Sequence, residues 1–216
     1  MNCRKLLAPA IAAALGVATL AGSLVIAHES AGAQPGAQAE MKLPPGWTQQ
    51  DMEACIAAAT PGKMHEHLAK AIGTWEGKCL TWMPGASEPM ESECTMTVTP
   101  MMDGRFIKTE FSGNMPGMGP YTGFGISGFN NVTQKFTSIW IDNQGTGIAN
   151  GTGELASDGK TTNWQLVGQC PIQKGPVTLR QTETITGENT RTMEMFGPDP
   201  KTGKEGQMMR LELTRK

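Results

Sequence analysis

The sequence predicts an all-β fold: an antiparallel up-and-down β-barrel of about ten strands, preceded by one or two short helices. Three observations carry this. From residue 74 onward the pattern of side chains repeats every second residue, turn residues punctuate it at short intervals, and no helix-length segment separates one strand from the next. Without helical crossovers the strands cannot run parallel. Ten strands in an open sheet leave two exposed edges, whereas closure removes both and encloses an interior either filled by side chains or hollow enough for one small ligand. A two-sheet sandwich is the alternative for the same strands.

The elements follow in chain order. Arg4 and Lys5 precede an uncharged run over 6–27, and Ala31-Gly32-Ala33 supplies the small residues a signal peptidase requires. Residues 1–33 therefore read as a cleaved export signal, with Ala39 marking a second candidate cleavage point, and the mature chain is expected in the periplasm or secreted. An uncleaved anchor is the competing reading, weakened by Pro9 and the alanine-rich composition. Ser23 stands where a lipoprotein would carry its lipid-bearing cysteine, so lipid anchoring is disfavoured. Residues 34–46, made of Pro, Gly, Ala and Gln, form a linker without hydrophobic period.

A helical segment spans 47–72. Thr48 is placed as an N-cap with Asp51 three residues on, and Met52, Cys55, Ile56 and Ala59 recur at helical spacing. After Pro61-Gly62, Met64, Leu68 and Ile72 mark a second short helix. The barrel domain spans 73–216, with strands predicted at 74–83, 88–99, 105–112, 121–129, 135–142, 147–155, 161–170, 177–186, 190–196 and 207–214. Turn chemistry separates them: Pro84-Gly85, Asp103-Gly104, Pro116-Gly117, Asn130-Asn131, Asp158-Gly159 and Lys174-Gly175 among others.

Composition excludes one class outright. Once 1–33 is removed, 16 basic and 19 acidic side chains remain, a net charge of −3, and the positive charges are scattered singly. No basic face exists to collect phosphates, so nucleic-acid binding is not expected. The 38% apolar content with five tryptophans suffices to bury a core.

With Cys3 in the signal, the exported chain keeps Cys55, Cys79, Cys94 and Cys170, an even number suited to an oxidising compartment. Two disulfides are expected. Cys79 and Cys94 lie equally far from a turn centred on Ala86-Ser87, which predicts a bridge across that hairpin and leaves Cys55 to meet Cys170. None of the spacings is close enough for a zinc site.

Gly73-Thr74-Trp75 opens the first strand after a helix, like the start of lipocalin-type and nitrobindin-type barrels. Further segments sharpen this: Asp103-Gly104-Arg105-Phe106, Glu110-Phe111-Ser112-Gly113, Gly123-Phe124-Gly125 with Gly128-Phe129-Asn130, Ile139-Trp140-Ile141-Asp142, and the closing Leu213-Thr214-Arg215-Lys216. Together they resemble the bacterial family called domain of unknown function 1579, over essentially all of residues 65–216. The resemblance implies a calycin-like barrel in an exported protein, and no activity. Nitrobindin-like haem binding relies on a histidine late in the barrel. This chain has none after His67, so the resemblance brings no haem with it.

Each candidate chemistry has a plainer competitor. Gly123 to Gly128 spell G-x-G-x-x-G, but the dinucleotide fingerprint works by opening a helix, and here a turn and another strand follow. The glycines are expected to relieve crowding in a strand. His65 and His67 flank Glu66, yet residues two apart point to different sides of a helix, so a solvated face is expected over a metal site. With no other histidine in the mature chain, nothing selects a catalytic triad. Met101, Met102, Met115 and Met118 invite a copper(I) reading, but methionine is the adaptable filler of apolar space. No metal or cofactor is expected.

Over 136–142, alternation places Phe136, Ser138, Trp140 and Asp142 on one face and Thr137, Ile139 and Ile141 on the other. A large aromatic beside a carboxylate fits an amphipathic cavity. Trp75, Trp82 and Trp140 are expected to line it, with Arg105 and Asp142 as polar orienters and Glu110 and Arg180 as further charges near it. The favoured function is a non-catalytic barrel holding one small, largely apolar molecule. A cell-envelope enzyme using Glu110 or Asp142, and an interaction domain with a filled barrel, are the two alternatives.

Overall fold

The structure, a computed structural model, describes residues 43–216; the export signal and most of the linker expected from the sequence lie outside the described residues. Two helices, α1 (Gln49–Ala59) and α2 (Lys63–Ala69), precede ten strands: β1 (Gly73–Thr81), β2 (Met90–Met101), β3 (Phe106–Met115), β4 (Gly119–Asn130), β5 (Lys135–Asp142), β6 (Ala149–Leu155), β7 (Thr161–Cys170), β8 (Gly175–Gly187), β9 (Thr190–Pro198) and β10 (Glu205–Arg215). Each strand pairs antiparallel with its sequence neighbours, and β10 returns to β1 to close the barrel. The sandwich alternative falls away.

Closure depends on a close approach at the seam. β1 and β10 run in register from Trp75 opposite Arg215 to Thr81 opposite Met209. At Gly77 any side chain would collide with the backbone carbonyl of Glu212, so only glycine lets the last strand lie against the first. Bulges between Gln207 and Met209 on β10 and between Ile185 and Gly187 on β8 add the local twist that a closed sheet requires.

The barrel has two unlike ends. At the helix end, the β2–β3 and β4–β5 turns reach α1: the Arg105 Nε donates to the Ala59 carbonyl at 3.2 Å, and the Asn131 Nδ2 donates to the Thr60 carbonyl at 2.8 Å. The far end carries the other set of turns, β1–β2, β3–β4, β5–β6, β7–β8 and β9–β10. The floor near the helix end is dense. Trp75, Phe136, Leu211 and Val98 are the most completely buried large side chains, and Trp164 and Leu213 pack with them. Trp75 anchors its indole N–H on the Ala71 carbonyl at 2.8 Å, which ties β1 to the segment after α2.

The capping box predicted for α1 is present, with the Thr48 N–H donating to Asp51 Oδ2 at 2.8 Å and the Asp51 N–H donating to Thr48 Oγ1 at 3.2 Å. Its apolar stripe is not used. No α1 residue is buried and Ile56 is 48% exposed, so the helix is held by hydrogen bonds to its C-terminal carbonyls rather than by packing.

α2 differs from expectation in the opposite sense. The histidines placed on a solvated face pack on the barrel instead: the His65 ring meets Phe129 edge-on, and His67 lies against Phe136 with its Nε2 at 3.2 Å from Thr162 Oγ1. His65 and Leu68 are buried, because a seven-residue helix laid across an open barrel end presents nearly every turn to it.

The two expected disulfides are not formed; Cys55, Cys79, Cys94 and Cys170 are all free. The register supplies the reason. Cys79 stands opposite Ser92 and Cys94 opposite Gly77, so the hairpin is centred between Gly85 and Ala86, one residue earlier than the predicted turn. The two thiols become diagonal neighbours instead of facing each other, whereas a disulfide needs β-carbons about 3.8 Å apart. Cys55 lies on α1 at the helix end and Cys170 closes β7 at the far end, separated by the length of a ten-residue strand, about 30 Å.

Candidate ligand site in the barrel lumen

Strand alternation decides which side chains enter the lumen. On β5 the predicted division holds: Phe136 is buried and Ser138, Trp140 and Asp142 face inward, while Thr137, Ile139 and Ile141 are exposed on the outer surface. The same parity on neighbouring strands turns Tyr121, Gly123 and Gly125 of β4, Leu166 of β7, Leu179 of β8, Met195 of β9 and Met209 of β10 inward. Gly125 is buried beneath Trp140, and the others are only half-buried although they point to the barrel axis. These side chains are less completely covered than the floor, whereas the inward Cys79, Cys94 and Phe111 on the β1–β3 side are buried.

The G-x-G-x-x-G segment explains itself here. The Trp140 indole lies across β4, where Gly123 and Gly125 present no side chain; a β-carbon at 125 would sit 2.7 Å from its Cε3. Gly128 faces outward and makes the same room for Phe106. All three glycines accommodate aromatic rings, and none opens a helix.

Trp140 is fixed by a short polar chain. Its Nε1–H donates to the Tyr121 hydroxyl at 3.0 Å, and the hydroxyl donates to Asp142 Oδ2 at 3.1 Å. Asp142 Oδ1 accepts the Gln144 N–H at 2.9 Å in the β5–β6 turn. Burial, aided by the Asp142 charge, raises the Tyr121 phenol well above its ordinary value of 10.0, so it stays neutral and keeps both hydrogen bonds.

Cys79 and Cys94 also face the lumen. Burial raises both thiols, Cys94 to about 12, with the neighbouring Cys79 adding to its shift. Neither is a thiolate near neutral pH, and a nucleophilic or thiolate-ligand role has no support. Among the described residues no group of three or more His, Cys, Asp or Glu side chains is arranged to hold a metal ion. Met96, Met193 and Met209 pack in or against the core as apolar filler.

Of the seven residues expected at the cavity, Trp75, Trp140 and Asp142 face inward, Trp75 as floor and the other two in the far half. The remaining four lie elsewhere. Glu110 is on the outer face of β3, paired with Lys108 at 2.8 Å. Arg180 is on the outer face of β8, over the Phe196 ring and 3.3 Å from Glu205. Arg105 sits in the β2–β3 turn, latching α1 and donating to the Met102 carbonyl at 3.2 Å. Trp82 follows β1 on the parity opposite to Trp75 and Cys79, its N–H bonded to the Met208 carbonyl at 2.9 Å. Charge type alone selected Arg105, Glu110 and Arg180; strand parity would have turned Glu110 and Arg180 outward.

The sequence reading missed Tyr121, the only tyrosine in the chain, although it precedes Gly123 and Gly125 at strand spacing. It also missed Gln181, Glu183 and Arg191, inward residues of β8 and β9. The Gln181 Nε2 donates to Glu183 Oε1 at 2.8 Å, and burial raises the Glu183 carboxyl above its ordinary value. A separate, solvent-open cleft of about 590 Å³ lies between α1 and the β4–β5 turn, lined by Ala54, Ala57, Ala58 and Val132, and brings no ionisable group to a ligand.

Residues 60–215 match the family described as Protein of unknown function (DUF1579). No curated protein matches the chain. Among solved structures, Rv2717c from M. tuberculosis is similar with a TM-score of 0.52 and 16% identity, over 73% of this chain and 99% of that one. That likeness is one of fold. A protein of unknown function from the DUF3598 family of Nostoc punctiforme aligns over 72% of this chain and all of its own, at 9% identity and a TM-score of 0.21.

Proposed function

The chain belongs to the family Protein of unknown function (DUF1579), whose name carries no activity, and we propose that it is a non-catalytic barrel holding one small, largely apolar molecule in the far half of its lumen. One observation carries this reading: Trp140, Leu166, Leu179, Met195 and Met209 point to the barrel axis yet are not fully buried. Incompletely covered apolar side chains facing a concave surface favour an apolar occupant. Tyr121 and Asp142 at the rim are the polar pair that would orient it.

No observation favours the enzyme reading over this one. Glu110 faces solvent on the outside, and both oxygens of Asp142 already accept hydrogen bonds. The export signal read in residues 1–33 supports a periplasmic or secreted site of action, where a barrel of this kind would carry or sequester its ligand.

The test uses the neutral dye N-phenyl-1-naphthylamine together with native mass spectrometry of gently purified protein. Dye fluorescence should rise on binding, and Leu179→Glu, which puts a charge into the far half, should abolish the rise. A co-purifying small molecule should compete with the dye. Absence of both a bound mass and a dye response would establish a filled barrel instead.

A further inference from the structure

The helix end carries a second, chemically different pocket. Lys70, Arg191 and Arg215 surround a cavity of about 280 Å³, with Trp75 at its base and Ile185 and Glu188 on its walls. Five arginines lie among the described residues. Arg105, Arg180 and Arg210 each have a carboxylate within 4.0 Å, at 3.7, 3.3 and 2.9 Å respectively. Arg191 and Arg215 have no such partner among the described residues, and they are the two that share this pocket.

The two guanidiniums are held differently. Arg215 is anchored by donating to the Ile72 and Lys70 carbonyls, and its guanidinium carbon lies 4.1 Å from the Trp75 ring centre. Arg191 lies 4.7 Å from the same ring centre, and its Nε is buried with no hydrogen-bond partner among the described residues. Burial and the positive charge of Arg215 both disfavour its charged form, and Glu183 opposes them only in part. Placing two cations against one indole with no carboxylate within ion-pair distance of either, Glu183 offsetting Arg191 only in part, costs free energy, as does a buried unmet donor. An oxyanion between them would relieve both costs.

We propose that this pocket binds a small organic anion, its carboxylate or phosphate oxygens held by Arg191 and Arg215 with Lys70 at the rim and its apolar body against Ile185. The planar fork of a guanidinium matches either head group. The volume restricts the occupant to a short chain or one small ring. This site lies at the opposite end of the barrel from the lumenal site and does not depend on it.

Titration calorimetry of the intact protein at low ionic strength with hexanoate, hexyl phosphate and inorganic phosphate tests the assignment. At least one of the two organic anions should saturate the protein, with inorganic phosphate binding more weakly. Arg191→Gln and Lys70→Gln should each weaken that binding by about tenfold or more. Arg180→Gln, on the outer face, should leave it unchanged. Arg215 is left intact because it anchors the backbone before β1. The Lys70 side chain is exposed and makes no hydrogen bond or ion pair among the described residues, and the Lys70 carbonyl that Arg215 binds is backbone, so its variant reports binding and not folding. Failure of all three anions to bind, unchanged affinity in Arg191→Gln or Lys70→Gln, or an equal loss in Arg180→Gln would overturn the assignment. Inorganic phosphate binding as tightly as hexyl phosphate would remove the organic body from it.

Discussion

The Tyr121 hydroxyl accepts the Trp140 indole N–H at 3.0 Å and donates its own O–H to Asp142 Oδ2 at 3.1 Å, so three side chains from two adjacent strands act as one unit at the mouth of the lumen. The unit exists because β4 has glycine where β5 has tryptophan: Gly125 stands opposite Trp140 and Gly123 opposite Asp142. An indole lying across a strand cannot tolerate a β-carbon beneath it. Gly125→Ala is expected to push Trp140 off the wall and to destabilise the barrel by about 1–3 kcal/mol through overpacking. Urea unfolding gives the magnitude, and a shifted tryptophan emission maximum reports the displaced ring.

Because the chain has a single tyrosine, its ionisation is readable without interference. Burial raises the Tyr121 phenol above its ordinary 10.0, so in alkali the unfolded chain ionises first. The stabilising contribution is complete below about pH 10 and is lost as pH rises from there toward the folded value. The tyrosinate absorbance band should therefore be absent in the native protein at about pH 10.5, and should develop with an ordinary midpoint once urea is added. Tyr121→Phe should remove this part of the alkaline instability and cost about 1–2 kcal/mol at neutral pH through the two lost hydrogen bonds. A native protein that titrates like free tyrosine would contradict the geometry.

The thiols provide a graded test. Cys55 is exposed, Cys170 is half-buried, and Cys79 and Cys94 are buried in the lumen with raised pKa. Thiolate chemistry requires both access and deprotonation. A disulfide-exchange reagent at about pH 8 should modify Cys55 quickly and Cys170 more slowly, with Cys79 and Cys94 reacting only as the barrel unfolds. Denatured, unreduced protein should show all four thiols; finding none would require the hairpin register and the strand order to be different.

Much of this fold was legible because strand alternation and turn residues are local signals. All ten strands fall within a few residues of their predicted bounds, and β5 divides its two faces as its alternation required. What depended on register was not legible. One residue of error at the Gly85 turn converted a diagonal pair, Cys79 and Cys94, into an apparent bridge, because a one-residue slip changes every cross-strand partner. Which turns gather at which end was equally hidden, and that separates Cys55 from Cys170. The outward placement of Glu110 and Arg180 was written in the parity of their strands, whereas the latch role of Arg105 required knowing where α1 would lie. The Arg191 and Arg215 pocket joins three distant stretches of chain, and only closure brings them together.

Glu183 supplies the remaining pH dependence. Its carboxyl faces the lumen beside Gln181, and burial outweighs the attraction of Arg191 to leave its pKa above the ordinary 4.5. An acid group raised in the folded state releases its proton first from the unfolded chain. Stability is therefore greatest below about pH 4.5 as far as this group is concerned, and falls as pH rises toward the folded value. Glu183→Gln keeps the shape and removes the titration, so the variant should be more stable than the parent at neutral pH, with the gap closing toward about pH 4. Urea midpoints at the two pH values decide it. If Glu183→Gln were instead less stable at neutral pH, the carboxylate would be functioning as the counter-ion of Arg191, and burial would not be the dominant influence on either group.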